Sequence, residues 1–138
     1  MDVLLSYRGN ELAFYDFHYS AVEDKKGNPF CCSFRVRAKS GSYAADTFCE
    51  YGMKEFEEMQ MYLEMLSNFA WAYTDFDDRA HGNILRFRPI NAGFFSVAGT
   101  LRDDKGIHKM SFLVEVEQSV LNRFARDIKA MIDEAKGQ

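Results

Sequence analysis

Proline is almost absent: two residues in 138, Pro29 and Pro89. That excludes a proline-rich linker and leaves little to interrupt strands and helices. Cysteine is scarce too, with thiols only at positions 31, 32 and 49. An odd number without even spacing builds no disulfide framework and fits a reducing compartment. No apolar run approaches the roughly 20 residues that a membrane-spanning helix requires. The start, Met1-Asp2-Val3-Leu4-Leu5, carries neither a basic leader nor a long apolar stretch. No signal peptide is therefore expected, and a cytoplasmic location is.

Motifs that carry chemistry are missing as well. His18, His81 and His108 lie far apart and none has metal-ligand spacing; there is no C-x-x-C. The phosphate-binding loop, the dinucleotide fingerprint and the Gly-x-Ser-x-Gly elbow are all absent. Cys32 could pair with a distant His as a nucleophile, but a small buried thiol is the simpler reading. Asp75, Asp77 and Asp78 lack the D-x-D-x-D-G spacing of a calcium loop and read as a solvated acidic turn. The expectation is a protein that is not an enzyme, with no catalytic residue, no metal and no cofactor.

What is present is a globular composition, 47% hydrophobic and 28% charged, sized for one domain over residues 1–138. Thirteen Phe and seven Tyr against a single Trp favour strands. Short strands are expected at 4–7, 12–19, 30–38 and 43–49, with a charged loop over 23–29. In the third of them Cys32, Phe34 and Val36 alternate with Ser33, Arg35 and Arg37. A helix follows from Met53 to about Phe69, with Phe56, Met59, Leu63, Leu66 and Ala70 on one stripe. The pattern then repeats, with strands at 71–75, 84–88, 94–102 and 109–116. Asp103-Asp104-Lys105-Gly106 supplies a hairpin turn, and Asp77–Asn83 a loop. A last helix runs over about 118–135, with Leu121, Phe124, Ile128, Met131 and Ala135 inward and Ser119 as its cap. The fold class is α+β: about eight strands, predominantly antiparallel, with two amphipathic helices in the order four strands, helix, four strands, helix.

The net charge of −4 makes nucleic acid a poor partner, because that binding needs a basic footprint. Arg35 and Arg37, with Arg86 and Arg88, would place four guanidiniums on one sheet face, read here as a solvated face paired with carboxylates. The negative charge is concentrated instead. Between Lys54 and Arg79 there is no Lys or Arg, and residues 50–78 hold Glu50, Glu55, Glu57, Glu58, Glu64, Asp75, Asp77 and Asp78 against Lys54 alone. On a helical wheel Lys54, Glu57, Glu58, Glu64 and Asn68 lie opposite the core stripe. Met61 falls among them, nearly opposite the core centre, with Met65 beside it. Apolar, adaptable side chains ringed by charge have the make-up of an interface core with a polar rim, or of methionines packed singly under a loop.

The stretch Val97-Ala98-Gly99-Thr100-Leu101-Arg102-Asp103-Asp104-Lys105-Gly106, then Lys109-Met110-Ser111-Phe112-Leu113-Val114-Glu115-Val116-Glu117-Gln118-Ser119-Val120-Leu121, resembles the WapI-type family of bacterial immunity proteins. The shared pattern is a hairpin, a Ser-Phe strand, and a helix led by Gln-Ser. The early strand pairs and the amphipathic helix of the first half fit it too. Asp75-Phe76-Asp77-Asp78 and the Met-rich helix do not map onto that pattern. The resemblance implies an antitoxin in bacterial competition: a cytoplasmic protein that neutralises one cognate secreted toxin domain by binding it. For a nuclease toxin, an acidic patch would complement the basic cleft.

The residues expected to bind that partner are Glu57, Glu58, Met61, Glu64, Met65, Asp75, Asp77 and Asp78. No nucleic acid and no membrane is expected as partner; a homodimer paired through a strand edge stays open. The rival reading is a small-molecule-binding or enzymatic α+β domain, its pocket lined by Phe14, Phe34, Phe87, Phe95 and Phe112.

Overall fold

Tight turns set the pairing of the first strands. Arg8 and Gly9 both take positive φ, 51° and 83°, as a type I′ turn requires. They join β1 (Val3–Tyr7) to β2 (Asn10–Tyr19), with Tyr7 opposite Asn10. A computed structural model describes residues 1–103 and 105–137; Asp104, part of the expected hairpin turn, and Gln138, the last residue of the expected domain, lie outside the described residues. After β2 comes a short helix, α1 (Ala21–Lys25), where the sequence suggested only a charged loop. Its one turn exists because the Ser20 hydroxyl accepts the Glu23 backbone N–H at its start. Then follow β3 (Cys32–Ser40), β4 (Tyr43–Tyr51) and α2 (Met53–Ser67).

The second half repeats the plan: β5 (Thr74–Asp78), β6 (Asn83–Pro89), β7 (Phe94–Arg102), β8 (Lys109–Glu117) and α3 (Gln118–Lys136). Each half is a four-stranded antiparallel sheet with its strands in chain order. The fold is α+β, with eight strands and two long helices among the described residues, as expected apart from α1. No helix among the described residues is long and apolar enough to cross a membrane.

Strict alternation fails in β2, and a bulge explains why. Tyr15 pairs with Arg35 but His18 pairs with Ser33, so Asp16 and Phe17 face a single residue of β3. Asp16 takes φ 56°. The extra residue turns Phe17 back to the inner face, where it stacks on Phe34 at 6.1 Å and on Phe56 at 5.6 Å.

The two long helices join the sheets through their phenylalanines. Phe56 of α2 meets Phe34 (5.1 Å) on the first sheet and Phe76 (6.1 Å) on the second. Phe124 of α3 meets Phe14 (5.2 Å) and Phe87 (6.5 Å) in the same way. The helices run antiparallel: Gln60 donates to the Ala125 carbonyl, and Gln118 and Asn122 to Ser67. β4 packs across the second sheet, where the Thr47 hydroxyl donates to the Arg102 carbonyl of β7.

Four expectations are corrected here. The fifth strand is not at 71–75: residues 71–73 lie outside it, and Asp77 and Asp78, read as loop, belong to it. Ala70 lies beyond the end of α2 and is exposed. Ser119 does not cap α3, whose N-cap is Glu117 without a side-chain bond. The four arginines do not share a face, since Arg35 and Arg37 stand on β3 and Arg86 and Arg88 on β6, in different sheets. Arg35 pairs with Asp46 at 3.0 Å and Arg88 with Asp75 at 2.7 Å, and Arg37 lies over the Tyr15 ring.

Candidate functional site

The helix α2 separates core from surface cleanly. Phe56, Leu63 and Leu66 are fully buried, and Gln60 is buried because its amide is committed to α3. On the other side, Glu57, Glu58, Met61 and Glu64 line an open groove of about 460 Å³ together with Lys129, Ile132 and Asp133 of α3. Met61 is 45% exposed, an apolar side chain among carboxylates as the wheel placed it. Glu57 is partly neutralised by Lys136 at 3.3 Å. Among the described residues Glu58, Glu64 and Asp77 form no ion pair.

A second groove of about 540 Å³ continues past the start of α2, sharing Lys54 and Glu58 with the first and adding Pro29, Phe30, Glu50, Gly52, Glu55 and Arg79. Burial pushes the Glu55 carboxyl above the usual glutamate range, and the charges of Asp77, Asp78 and Glu58 add to that push; Arg79 opposes them. The region thus holds more negative charge than its own cations balance. Glu50, on its edge, is hydrogen-bonded to the His81 ring nitrogen at 2.9 Å.

The remaining expected residues divide. Asp75 and Asp77 point outward from β5, Asp77 exposed and Asp75 half-buried against Arg88. Met65 is half-buried. Asp78 cannot touch a partner: it is fully buried. β5 alternates Thr74, Phe76 and Asp78 inward. Asp78 is held there by the Asn83 amide (3.1 Å) and the Ala80 backbone N–H (3.1 Å). It is a joint between strands, not part of the surface.

The rival pocket is largely filled by its own walls. Phe14, Phe34, Phe87 and Phe95 are buried in one continuous core, with Phe14 and Phe34 in contact at 4.8 Å. Phe112 alone reaches an open groove, of about 550 Å³, beside Tyr43 and Leu113. Cys32 and Cys49 are core residues, and burial pushes both thiols far up, so neither is a thiolate near neutral pH.

Sequence reasoning passed over one cluster. Directly after α2, Phe69, Trp71 and Tyr73 are 54%, 43% and 52% exposed. The signal was the spacing F-A-W-A-Y at a helix end, which the strand-forming tendency of aromatic residues disguised.

With this geometry in view, comparison with known proteins adds only the fold. No protein family and no curated protein matches the chain. Among solved structures it is similar to Trypanosoma bruciei MRP1/MRP2, at 14% identity and a TM-score of 0.50, over 100% of this chain and 87% of the other.

Proposed function

We propose that this protein is an immunity protein: it binds a cognate secreted toxin domain in the cytoplasm and blocks it by occupancy, with no bond made or broken by its own side chains. The observation that carries the reading is the α2 groove, where among the described residues Glu58 and Glu64 form no ion pair, although Lys54 and Lys129 line the same groove, and Met61 is left exposed between them. Uncompensated carboxylates favour a partner that brings Lys or Arg, and they raise the rate of encounter with it. An exposed methionine adapts to a shallow apolar recess. The resemblance to WapI-type immunity proteins points the same way. A nuclease, whose cleft is basic, is the toxin class this charge suits best.

The test first asks whether a neighbouring gene encodes a secreted protein with a toxin domain at its C-terminus, then uses that domain as the probe; absence of such a gene counts against the reading. Stopped-flow association should be fast at low ionic strength and fall steeply with salt. Replacing Glu58 and Glu64 together by Lys should slow association by on the order of tenfold and flatten the salt dependence. An unchanged rate removes the acidic groove from the interface; no binding by the wild-type protein removes the reading itself.

A further inference from the structure

An edge strand carries a row of backbone N–H and C=O groups that no ladder satisfies. In the two sheets the edges are β1, β4, β5 and β8. β1 and β5 are short, with 5 residues each. β4 is packed across the second sheet, where Thr47 bonds to the Arg102 carbonyl and the Phe48 carbonyl accepts from Asn83. β8 is managed in neither way. It runs 9 residues, contains no proline, and pairs with β7 without a bulge.

The ladder shows which backbone groups of β8 face outward. The Asp103 N–H bonds to the His108 carbonyl before the strand, and the Gln118 N–H to the Gly93 carbonyl after it. Hydrogen-bonded and non-bonded pairs alternate along an antiparallel ladder. Met110, Phe112, Val114 and Val116 therefore bond to β7. The N–H and C=O groups of Lys109, Ser111, Leu113 and Glu115, and the Glu117 N–H, point to the free edge. Among the described residues no backbone group bonds to them there. An open groove of about 550 Å³ runs along this edge, lined by residues 109–113 and faced by Ser40, Tyr43 and Ala44. Consecutive residues of a strand point to opposite faces, so they line one groove only along the strand's edge.

The side chains select the occupant. Lys109, Ser111, Leu113, Glu115 and Glu117 are all exposed on the outer face. Leu113, at the middle of the strand, is 64% exposed. Lys109 stands opposite Arg102 on β7, a like charge. Among the described residues Lys109, Glu115 and Glu117 form no ion pair. A second β8, turned about a two-fold axis through Leu113, overlaps the first over its full length. Leu113 then meets its own copy, Lys109 meets Glu117, and Ser111 meets Glu115. On the inner face the half-buried Phe112 meets Val114. An axis at Glu115 would oppose that carboxylate to itself, and one at Ser111 would set Lys109 against Leu113. The strand is thus its own complement in one register.

We infer that β8 is a self-pairing surface: two copies of this chain join edge to edge, Leu113 on Leu113, and their second sheets become one continuous sheet. Such an isologous contact closes on itself, so the edge is used up and no filament grows from it. The inference does not depend on the immunity reading and needs no toxin domain.

Sedimentation equilibrium of the full chain should show a dimer. Leu113→Lys sets two ammonium groups together on the axis at an exposed position. It should abolish the dimer and leave the circular dichroism spectrum unchanged. Lys109→Glu and Glu117→Lys should each weaken dimerisation by on the order of 30-fold, because each change acts at both ends of a symmetric contact. Mixed together, these two variants should regain the wild-type affinity as a heterodimer, since each supplies the charge the other lacks. In hydrogen exchange followed by NMR, the Ser111 and Glu115 amides should exchange about 100-fold faster in Leu113→Lys than in the wild-type dimer. A wild-type protein that stays monomeric at every concentration overturns the inference. So does a dimer that survives Leu113→Lys, or a pair of charge variants that fails to recover on mixing.

Discussion

Asn83 offers the sharpest test of how the two sheets are joined. It opens β6, is buried, and touches three other strands. Its amide donates to the Phe48 carbonyl of β4 at 3.0 Å and to Asp78 of β5 at 3.1 Å; its oxygen accepts the Arg102 N–H of β7 at 2.8 Å. Asn83→Ala deletes these three bonds and a weaker contact to the Cys49 sulfur at 3.6 Å, and leaves the Asp78 carboxylate with the Ala80 N–H and the Cys49 thiol. Two neutral bonds at about 1 kcal/mol each and one to a carboxylate at about 1.5–3 kcal/mol give a loss of about 3–4 kcal/mol after partial relaxation. That is a large share of the roughly 5–15 kcal/mol that holds a domain together. With about 2.1 cal/mol/K of unfolding entropy per residue, a chain of 138 residues loses about 3 °C in Tm per kcal/mol, so a fall of about 10–13 °C is expected. Urea unfolding followed by Trp71 fluorescence and by circular dichroism measures it, and both probes should shift together. Asn122→Ala, which loses one bond to the Ser67 hydroxyl (2.9 Å), should cost only about 1 kcal/mol and serves as control. A loss below about 1 kcal/mol for Asn83→Ala, or transitions that separate by probe, would refute the claim that this side chain couples the sheets.

Glu55→Gln should stabilise the protein at neutral pH. The folded state raises this carboxyl's pKa through burial and neighbouring carboxylates, so it binds a proton more tightly than the unfolded chain does. The cost is full above the raised value and vanishes below the ordinary glutamate pKa of about 4.3. Thermal melts of both proteins should therefore differ at pH 7 and converge in acid; a difference independent of pH would point to packing instead. The cysteines make a separate prediction. All three are free and buried, and burial raises the thiols of Cys32 and Cys49. Ellman's reagent at pH 8 should label none of them in the native protein except at the unfolding rate, and all three in denaturant. Prompt labelling of any thiol in the native protein would contradict the packing around it.

Much of the fold was legible because its signals are local. β7 runs Phe94–Arg102 as its alternation predicts, and α2 and α3 begin at Met53 and Gln118 as their periodicity predicts. β5 was misread because its determinants are not local. Trp71 and Tyr73 have strand-forming side chains but follow the left-handed turn at Phe69. Asp78 looks like a surface charge until Asn83 arrives to satisfy it from the next strand. The pairing of Arg35 with Asp46 and of Arg88 with Asp75 depends on register across neighbouring strands, which spacing along the chain does not encode. For the site, the wheel located Glu57, Glu58, Met61 and Glu64 in one groove, since a single helix carries them. It could not bring in Lys129, Ile132 or Asp133, which come from the far end of the sequence.

The rings of Phe56 and Phe124, each in contact with both sheets, leave the chain with no seam. Neither repeat owns a complete interior: cut between them, each piece would be left with aromatic surface that only the other can cover. A gene of half this length would encode something able to fold only as a pair, and severing the link near Ala72 should yield two fragments that gain structure when mixed and aggregate when kept apart.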